Sequence, residues 1–237
     1  MRIKGFEPFS ASDWPDRLAA VIFCGGCNLR CGYCHNAQLM KDAAPWLDEE
    51  TVFAELERRR FLLDGVVISG GESTLQPDLL AKALRLKGMG YAVKIDTNGL
   101  RPEIVETLIA EKAVDFFALD FKTPLDDGWL ERICGGGPGT AARIRRTFEI
   151  VAASAVPREW RTTCAPGISG ETLMRMAGEL LEIAGPKAPW YWQQYRVPAQ
   201  GADPSLSEPL GADEIARLLD DTPLRAQLRG WGVDSGR

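Results

Sequence analysis

The chain has 237 residues, 45% hydrophobic and 26% charged, with 28 Lys and Arg against 33 Asp and Glu and a net charge of −5. Such proportions suit one large globular domain or one α/β barrel, expected over 1–237, and the lack of a long basic run argues against nucleic-acid binding. The longest apolar run, Leu18 to Cys24, is too short to cross a bilayer, and no apolar leader is visible, so the expectation is a cytoplasmic protein with no membrane contact.

After an extension over 1–17, short apolar runs alternate with amphipathic helical stretches. LAAVIF (18–23) reads as a strand. DEETVFAELERRR (48–60) reads as a helix with Asp48 as N-cap and Thr51 in its first turn. Arg58, Arg59 and Arg60 close it as a solvated basic end suited to the helix dipole. GVVIS (65–69) is a strand, 79–89 a helix ended by Gly90, and YAVKIDT (91–97) a strand. A helix over 102–112 has Pro102 in its first turn; FFALDFK (116–122) is a strand and 141–153 a helix. REWRTT (158–163) is a strand, 169–185 a helix between Ser169 and Gly185, WYWQQYR (190–196) a last strand, and 211–219 a final helix. The stretch 198–211, rich in Pro, Gly and Ser, reads as a surface loop.

Six strands alternating with helices imply parallel pairing with right-handed crossovers. The expected fold is a partial (β/α)6 TIM-like barrel with outer helices, its core over 18–196 and a C-terminal loop and helix over 197–237. Chemistry in such folds sits where strands end. The residues there are Cys24 with the cysteines that follow, Ser69–Glu72, Asp96–Gly99, Asp120–Lys122, Thr162–Thr163 and Gln193–Gln194. Nearly all are polar or ligand-type, which points to one shared cavity.

CGGCNLRCGYCHN (24–36) holds four of the six cysteines and the only histidine. A reducing compartment favours metal binding or catalysis over disulfides. Two C-x2-C pairs suggest zinc, yet only Asn28, Leu29 and Arg30 separate them, where two converging turns normally need a dozen residues or more. The other spacing is Cys27-x3-Cys31-x2-Cys34, with Cys24 left as a small core residue. Three thiolates on one tight loop suit three irons of a four-iron, four-sulfur cluster whose fourth iron stays open.

That spacing after a first strand, with Tyr33 before the last Cys, resembles the signature of the radical S-adenosylmethionine (SAM) superfamily. GGE (70–72) past the second strand strengthens the likeness. CHN (34–36), DTNG (96–99), LDFK (119–122) and the opening 5–23 resemble the glycyl-radical-enzyme activating enzymes, nearest to those serving anaerobic ribonucleoside-triphosphate reductase. The likeness runs from about residue 3 to about residue 196.

The resemblance implies a cluster on Cys27, Cys31 and Cys34, and reductive cleavage of SAM to make a glycyl radical on a partner enzyme. It implies SAM contacts from Tyr33, Asn36, Gly70, Gly71, Glu72, Asp96, Asn98, Lys122 and Gln194, and a monovalent cation at Asp96, Thr97 and Asp120. The glycines would let backbone approach SAM; Glu72 would accept hydrogen bonds from SAM or from backbone N–H groups; Lys122 would meet a carboxylate. Alternatives are a small-molecule enzyme such as a deazapurine synthase, or an activase of pyruvate formate-lyase.

No second cysteine cluster occurs between residues 34 and 134, so the electron is expected from a flavodoxin- or ferredoxin-type donor. Ser73 stands where the superfamily usually has proline, and Gln193 and Gln194 where some relatives have histidine. His35 is expected to pack near the cluster. Cys134 and Cys164 receive no role, and Met174 and Met176 read as packing. GGGPGT (135–140) reads as a mobile loop that lids the rim.

Overall fold

The computed structural model describes residues 1–40, 45–197 and 208–231; most of the 198–211 stretch lies outside them. Among the described residues, eight strands form one sheet in chain order. They are β1 (Ile3–Ser10), β2 (Ala19–Cys24), β3 (Gly65–Gly70), β4 (Ala92–Thr97), β5 (Phe116–Asp120), β6 (Arg158–Cys164), β7 (Trp190–Gln194) and β8 (Ala226–Arg229). β1 pairs antiparallel with β2, and every later pair is parallel. The crossovers carry α1 (Glu49–Arg59), α2 (Leu79–Gly88), α3 (Pro102–Ala110), α4 (Asp127–Cys134), α5 (Thr140–Ala153), α6 (Gly170–Ala184) and α7 (Ala212–Asp221).

The expected six-unit partial barrel is β2 to β7. The expectation of six strands is corrected by one strand at each end. β1 lies in the stretch read as an extension; it tolerates Pro8 because an edge strand leaves one side of its ladder free. β8 has four residues between Pro223 and Gly230, too few for a periodic signal. The caps expected from sequence form: Asp48 accepts from the Thr51 N–H at 2.8 Å, and Ser169 accepts from the Thr172 N–H at 3.2 Å.

Strand alternation sorts the side chains into two faces. Ile22, Ile68, Ile95, Leu119, Trp160, Trp190 and Trp192 are fully buried in the main core, beneath helix residues such as Phe148 and Leu180. The inner face begins with an apolar floor, where Trp14 packs with Ala19, Val21 and Val67. Above that floor stand Lys94, Asp96, Glu159 and Arg161.

The glycine-rich stretch 135–140 contributes no residue to the cavity lining. It joins α4 to α5 as a tied connector. Gly135 caps α4 in the left-handed region (φ 63°), and the Asp127 carboxylate accepts the N–H groups of Gly139 (2.6 Å) and Ala141 (2.8 Å). α4 was not expected; its eight residues begin Asp-Gly, which masks the helical period.

Candidate active site

A cavity of about 250 Å³ opens at the C-terminal ends of the parallel strands. The cysteine loop after β2 forms one wall, the turn after β3 a second, and the ends of β4 to β7 the remainder.

The cysteine loop is fastened from behind by α4. The Arg30 N–H donates to the Cys134 carbonyl at 2.7 Å, and the Gly32 N–H to the Ile133 carbonyl at 3.3 Å. Cys134 is buried, and its interaction with Cys31 lowers its thiol below the ordinary value. Asn98 closes the front, with Nδ2 2.8 Å from Asn28 Oδ1 and 3.8 Å from Cys27 Sγ. Burial pushes the Cys27 thiol up to about 11 and raises Cys34. The interaction with Cys134, then burial, raises Cys31.

The turn after β3 needs glycine for backbone reasons. A Cβ at Gly71 would stand 2.0 Å from the Gly26 carbonyl oxygen, and Gly70 has φ 110° with a Cβ position 2.4 Å from the Cys24 nitrogen. The two segments are laced together: Gly71 N–H donates to the Cys24 carbonyl and Glu72 N–H to the Gly26 carbonyl, both at 2.8 Å. The Asn36 amide adds a bond to the Gly70 carbonyl at 3.3 Å. Glu72 is buried. Its Oε1 accepts from the hydroxyls of Thr74 (2.5 Å) and Thr97 (2.6 Å), and its Oε2 from the Asn98 N–H (2.8 Å). Burial nonetheless raises its carboxyl, against the pull of those donors. Glu72 thus clamps nearby protein donors, one of the two roles expected for it.

The far wall is ionic. Arg161 Nη1 is 3.1 Å from Asp96 Oδ2, and its Nη2 is 2.8 Å from Asp120 Oδ1. Lys94 Nζ is 3.0 Å from Asp96 Oδ1, and Lys122 Nζ is 2.9 Å from Asp120 Oδ2. Burial alone would raise Asp120; the charges of Lys122 and Arg161 prevail and hold it at about 2. Lys122 is held well above the ordinary lysine value despite burial, by Asp120 and the neighbouring Tyr33 and cysteine groups.

A family model described as the radical SAM superfamily matches residues 21–180. The chain belongs to the radical SAM superfamily. This radical SAM protein is 37% identical over 172 residues to the "Putative glycyl-radical enzyme activating enzyme" of Methanocaldococcus jannaschii, covering 71% of the chain and 70% of that protein. It is 37% identical over 134 residues to the pyruvate formate-lyase-activating enzyme of Clostridium pasteurianum, covering 54% and 55%. Its fold matches Streptococcus suis SuiB bound to precursor peptide SuiA with a TM-score of 0.68 at 18% identity, over 89% of this chain and 48% of that one. It thus spans about half the length of the last two.

Membership implies a four-iron, four-sulfur cluster and SAM. The residues present fit both. Cys27, Cys31 and Cys34 line one wall together, and desolvated thiols become thiolates only beside a strongly cationic centre. The adjoining wall offers backbone, amides and paired charges suited to a zwitterionic ligand. A monovalent cation fits poorly, although Asp96 Oδ1 accepts no hydrogen bond. Both carboxylates already face protein cations, and the Thr97 hydroxyl is spent on Glu72.

Cys27, Cys31, Tyr33, Cys34, Asn36, Gly70, Gly71, Glu72, Asp96, Thr97, Asn98, Asp120 and Lys122 all line the cavity. Gln194 does not; it is exposed, and Gln193 takes the place on the wall. Parity is the reason: Gln194 shares the outer face with Trp190 and Trp192, and Gln193 the inner face with Tyr191. Thr162 likewise faces outward, bonded to the Phe121 carbonyl at 2.6 Å, while Thr163 lines the cavity. Two residues were missed. Arg161 was hidden because only strand ends were read, although Glu159 and Arg161 at period two mark a polar inner face. Cys134 carries no sequence signal, being about a hundred residues from the loop it supports.

Proposed function

We propose that this chain is a glycyl-radical-enzyme activating enzyme, with anaerobic ribonucleoside-triphosphate reductase as its protein substrate. The observation that carries the reading is the convergence of the three loop cysteines and the Gly70–Glu72 turn on one cavity, in a chain 37% identical to a protein named for that activity over 70% of its length. When bound, the cluster and SAM supply one-electron cleavage of a sulfonium C–S bond, yielding methionine and a 5′-deoxyadenosyl radical that takes hydrogen from a glycine Cα. Cys27, Cys31 and Cys34 hold the cluster. Tyr33, Asn36 and Asn98 fix the loop that carries them. Gly70 and Gly71 present backbone to SAM, beside Glu72. Asp96, Asp120 and Lys122 furnish the charged wall, with Gln193 opposite.

All six cysteines are accounted for by one triad, Cys134 behind it, and buried Cys24 and Cys164. In this reading the electron is supplied by a donor of the flavodoxin or ferredoxin type. No helix among the described residues is long and apolar enough to cross a membrane, which suits a cytoplasmic setting.

The test is anaerobic. The reconstituted protein is given SAM, a strong reductant and, separately, the large subunit of an anaerobic ribonucleotide reductase or a pyruvate formate-lyase. Electron paramagnetic resonance and 5′-deoxyadenosine are followed together. A glycyl doublet on the reductase is the expected result. A doublet only on the lyase moves the partner. Deoxyadenosine with neither doublet points to a small-molecule substrate of the deazapurine kind, and the absence of both products rejects the enzyme reading. Cys31→Ala should lose most of its iron and drop deoxyadenosine formation at least a hundredfold.

A further inference from the structure

We propose that Arg161 is a built-in replacement for an alkali cation at the Asp96–Asp120 pair, so that SAM binding is independent of potassium and sodium. The inference rests on SAM occupying this cavity, as proposed above.

An alkali ion binds where several oxygen lone pairs converge without competing positive charge. At this wall both carboxylates are already paired with protein cations, and the one oxygen that accepts no hydrogen bond, Asp96 Oδ1, sits beside an ammonium. Asp96 Oδ2 accepts from Arg161 (3.1 Å) and from the Ser69 hydroxyl (3.0 Å), and Asp96 Oδ1 lies 3.0 Å from the Lys94 ammonium. Asp120 Oδ1 accepts two bonds from Arg161, at 2.8 and 3.2 Å, and Oδ2 one from Lys122 at 2.9 Å. The Thr97 hydroxyl donates to Glu72 and accepts the Gly99 N–H at 3.1 Å. Lys94 is further compensated by buried Glu159, 4.0 Å away, which pairs in turn with Arg229. An added monovalent ion would meet the guanidinium at short range inside a desolvated wall.

Arginine suits this task better than a dissociable ion. It stays charged at any working pH, and its planar fork spans two carboxylates on neighbouring strands. β5 and β6 set the reach: Asp120 and Arg161 are register partners in the sheet. Three of the five guanidinium N–H bonds are used by the two aspartates, and the group borders the cavity. A ligand carboxylate entering there meets a fixed cation whose position the sheet determines.

The test measures SAM affinity of the cluster-loaded protein by equilibrium dialysis in choline, sodium and potassium chloride at equal ionic strength. The deoxyadenosine rate is read in parallel. Wild type should vary less than twofold among the salts. Arg161→Gln and Arg161→Met, checked for iron content and near-ultraviolet circular dichroism, should bind at least tenfold more weakly in choline and recover at least fivefold in potassium. A purely structural arginine would show no such salt rescue. Wild-type affinity that rises severalfold with potassium or sodium overturns the inference, even if neither variant folds. Folded variants that bind like wild type in choline overturn it too. A loaded wild type that binds SAM in no salt instead overturns the reading of the cavity, and the inference with it.

Discussion

The two faces of one sheet are built on opposite physics. Outside the barrel, Trp160 packs edge-on against Phe148 at 6.2 Å, and Phe148 against Phe121 at 5.4 Å, so stability comes from apolar burial. Inside, Lys94, Asp96, Asp120, Glu159 and Arg161 share a desolvated space and are tolerable only because each charge has a partner. The outer face accepts any good filling of volume. The inner face is specified by pairs, and it is the one that opens into the cavity. Removing a single member from either face is expensive, but only inside should a second removal repair the first.

The largest expected loss is on the outer face. Trp160→Ala deletes a fully buried indole and should cost about 3–5 kcal/mol, a large part of an ordinary stability of about 5–15 kcal/mol. Urea unfolding of the variant measures it; a loss under about 1 kcal/mol would show that the aromatic layer is not what holds the helices down. Inside, a double-mutant cycle sharpens the contrast. Arg161→Met strands two carboxylates, and Asp120→Asn removes one of them. The double variant should be more stable than the summed singles by about 1–3 kcal/mol. Additivity within about 0.5 kcal/mol would mean that the guanidinium and Asp120 do not share an interaction.

The same division governs what the sequence disclosed. Runs such as GVVIS and FFALDFK, apolar on both faces over most of their length, made β3 and β5 legible, because β-branched and aromatic residues in a buried strand leave a strong local pattern. The cysteine loop was legible by spacing, and Gly70–Glu72 by position after a strand. The glycines also have a use that their position did not disclose: they let the turn lie against the backbone of residues 24–26. Pairing across strands was not legible. Arg161 meets Asp96 and Asp120 at sequence separations of 65 and 41, and Cys134 reaches the cysteine loop only because α4 ends beneath it. Gln194 was misjudged for Gln193 by one step of strand parity, an error that carries any side chain from one face to the other. β1 and β8 were lost because one is broken by proline and the other is too short.

The smallest of these effects is also the one with a sign to check. Asp120 falls from 3.8 to about 2 in the folded protein, pulled down by Lys122 and Arg161 against burial. A depressed acid binds its proton less readily when folded, so its contribution is complete above the unfolded value and disappears as pH falls from about 4 to about 2. At about 1.4 kcal/mol per pKa unit this is on the order of 2 kcal/mol. The side chain is 29% exposed, so screening trims it to about 1–2 kcal/mol. Asp96 is lowered for a similar reason and acts in the same direction, whereas Glu72, raised by burial, acts in the opposite one. Whole-protein acid unfolding therefore mixes signs, and the comparison with Asp120→Asn isolates the single group. The stability advantage of wild type over that variant should hold from pH 7 to about pH 4.5 and shrink by about 1–2 kcal/mol towards pH 2.5. Parallel curves across that interval would mean that the inner ion network does not hold Asp120 ionised, and the contrast between the two faces would rest on packing alone.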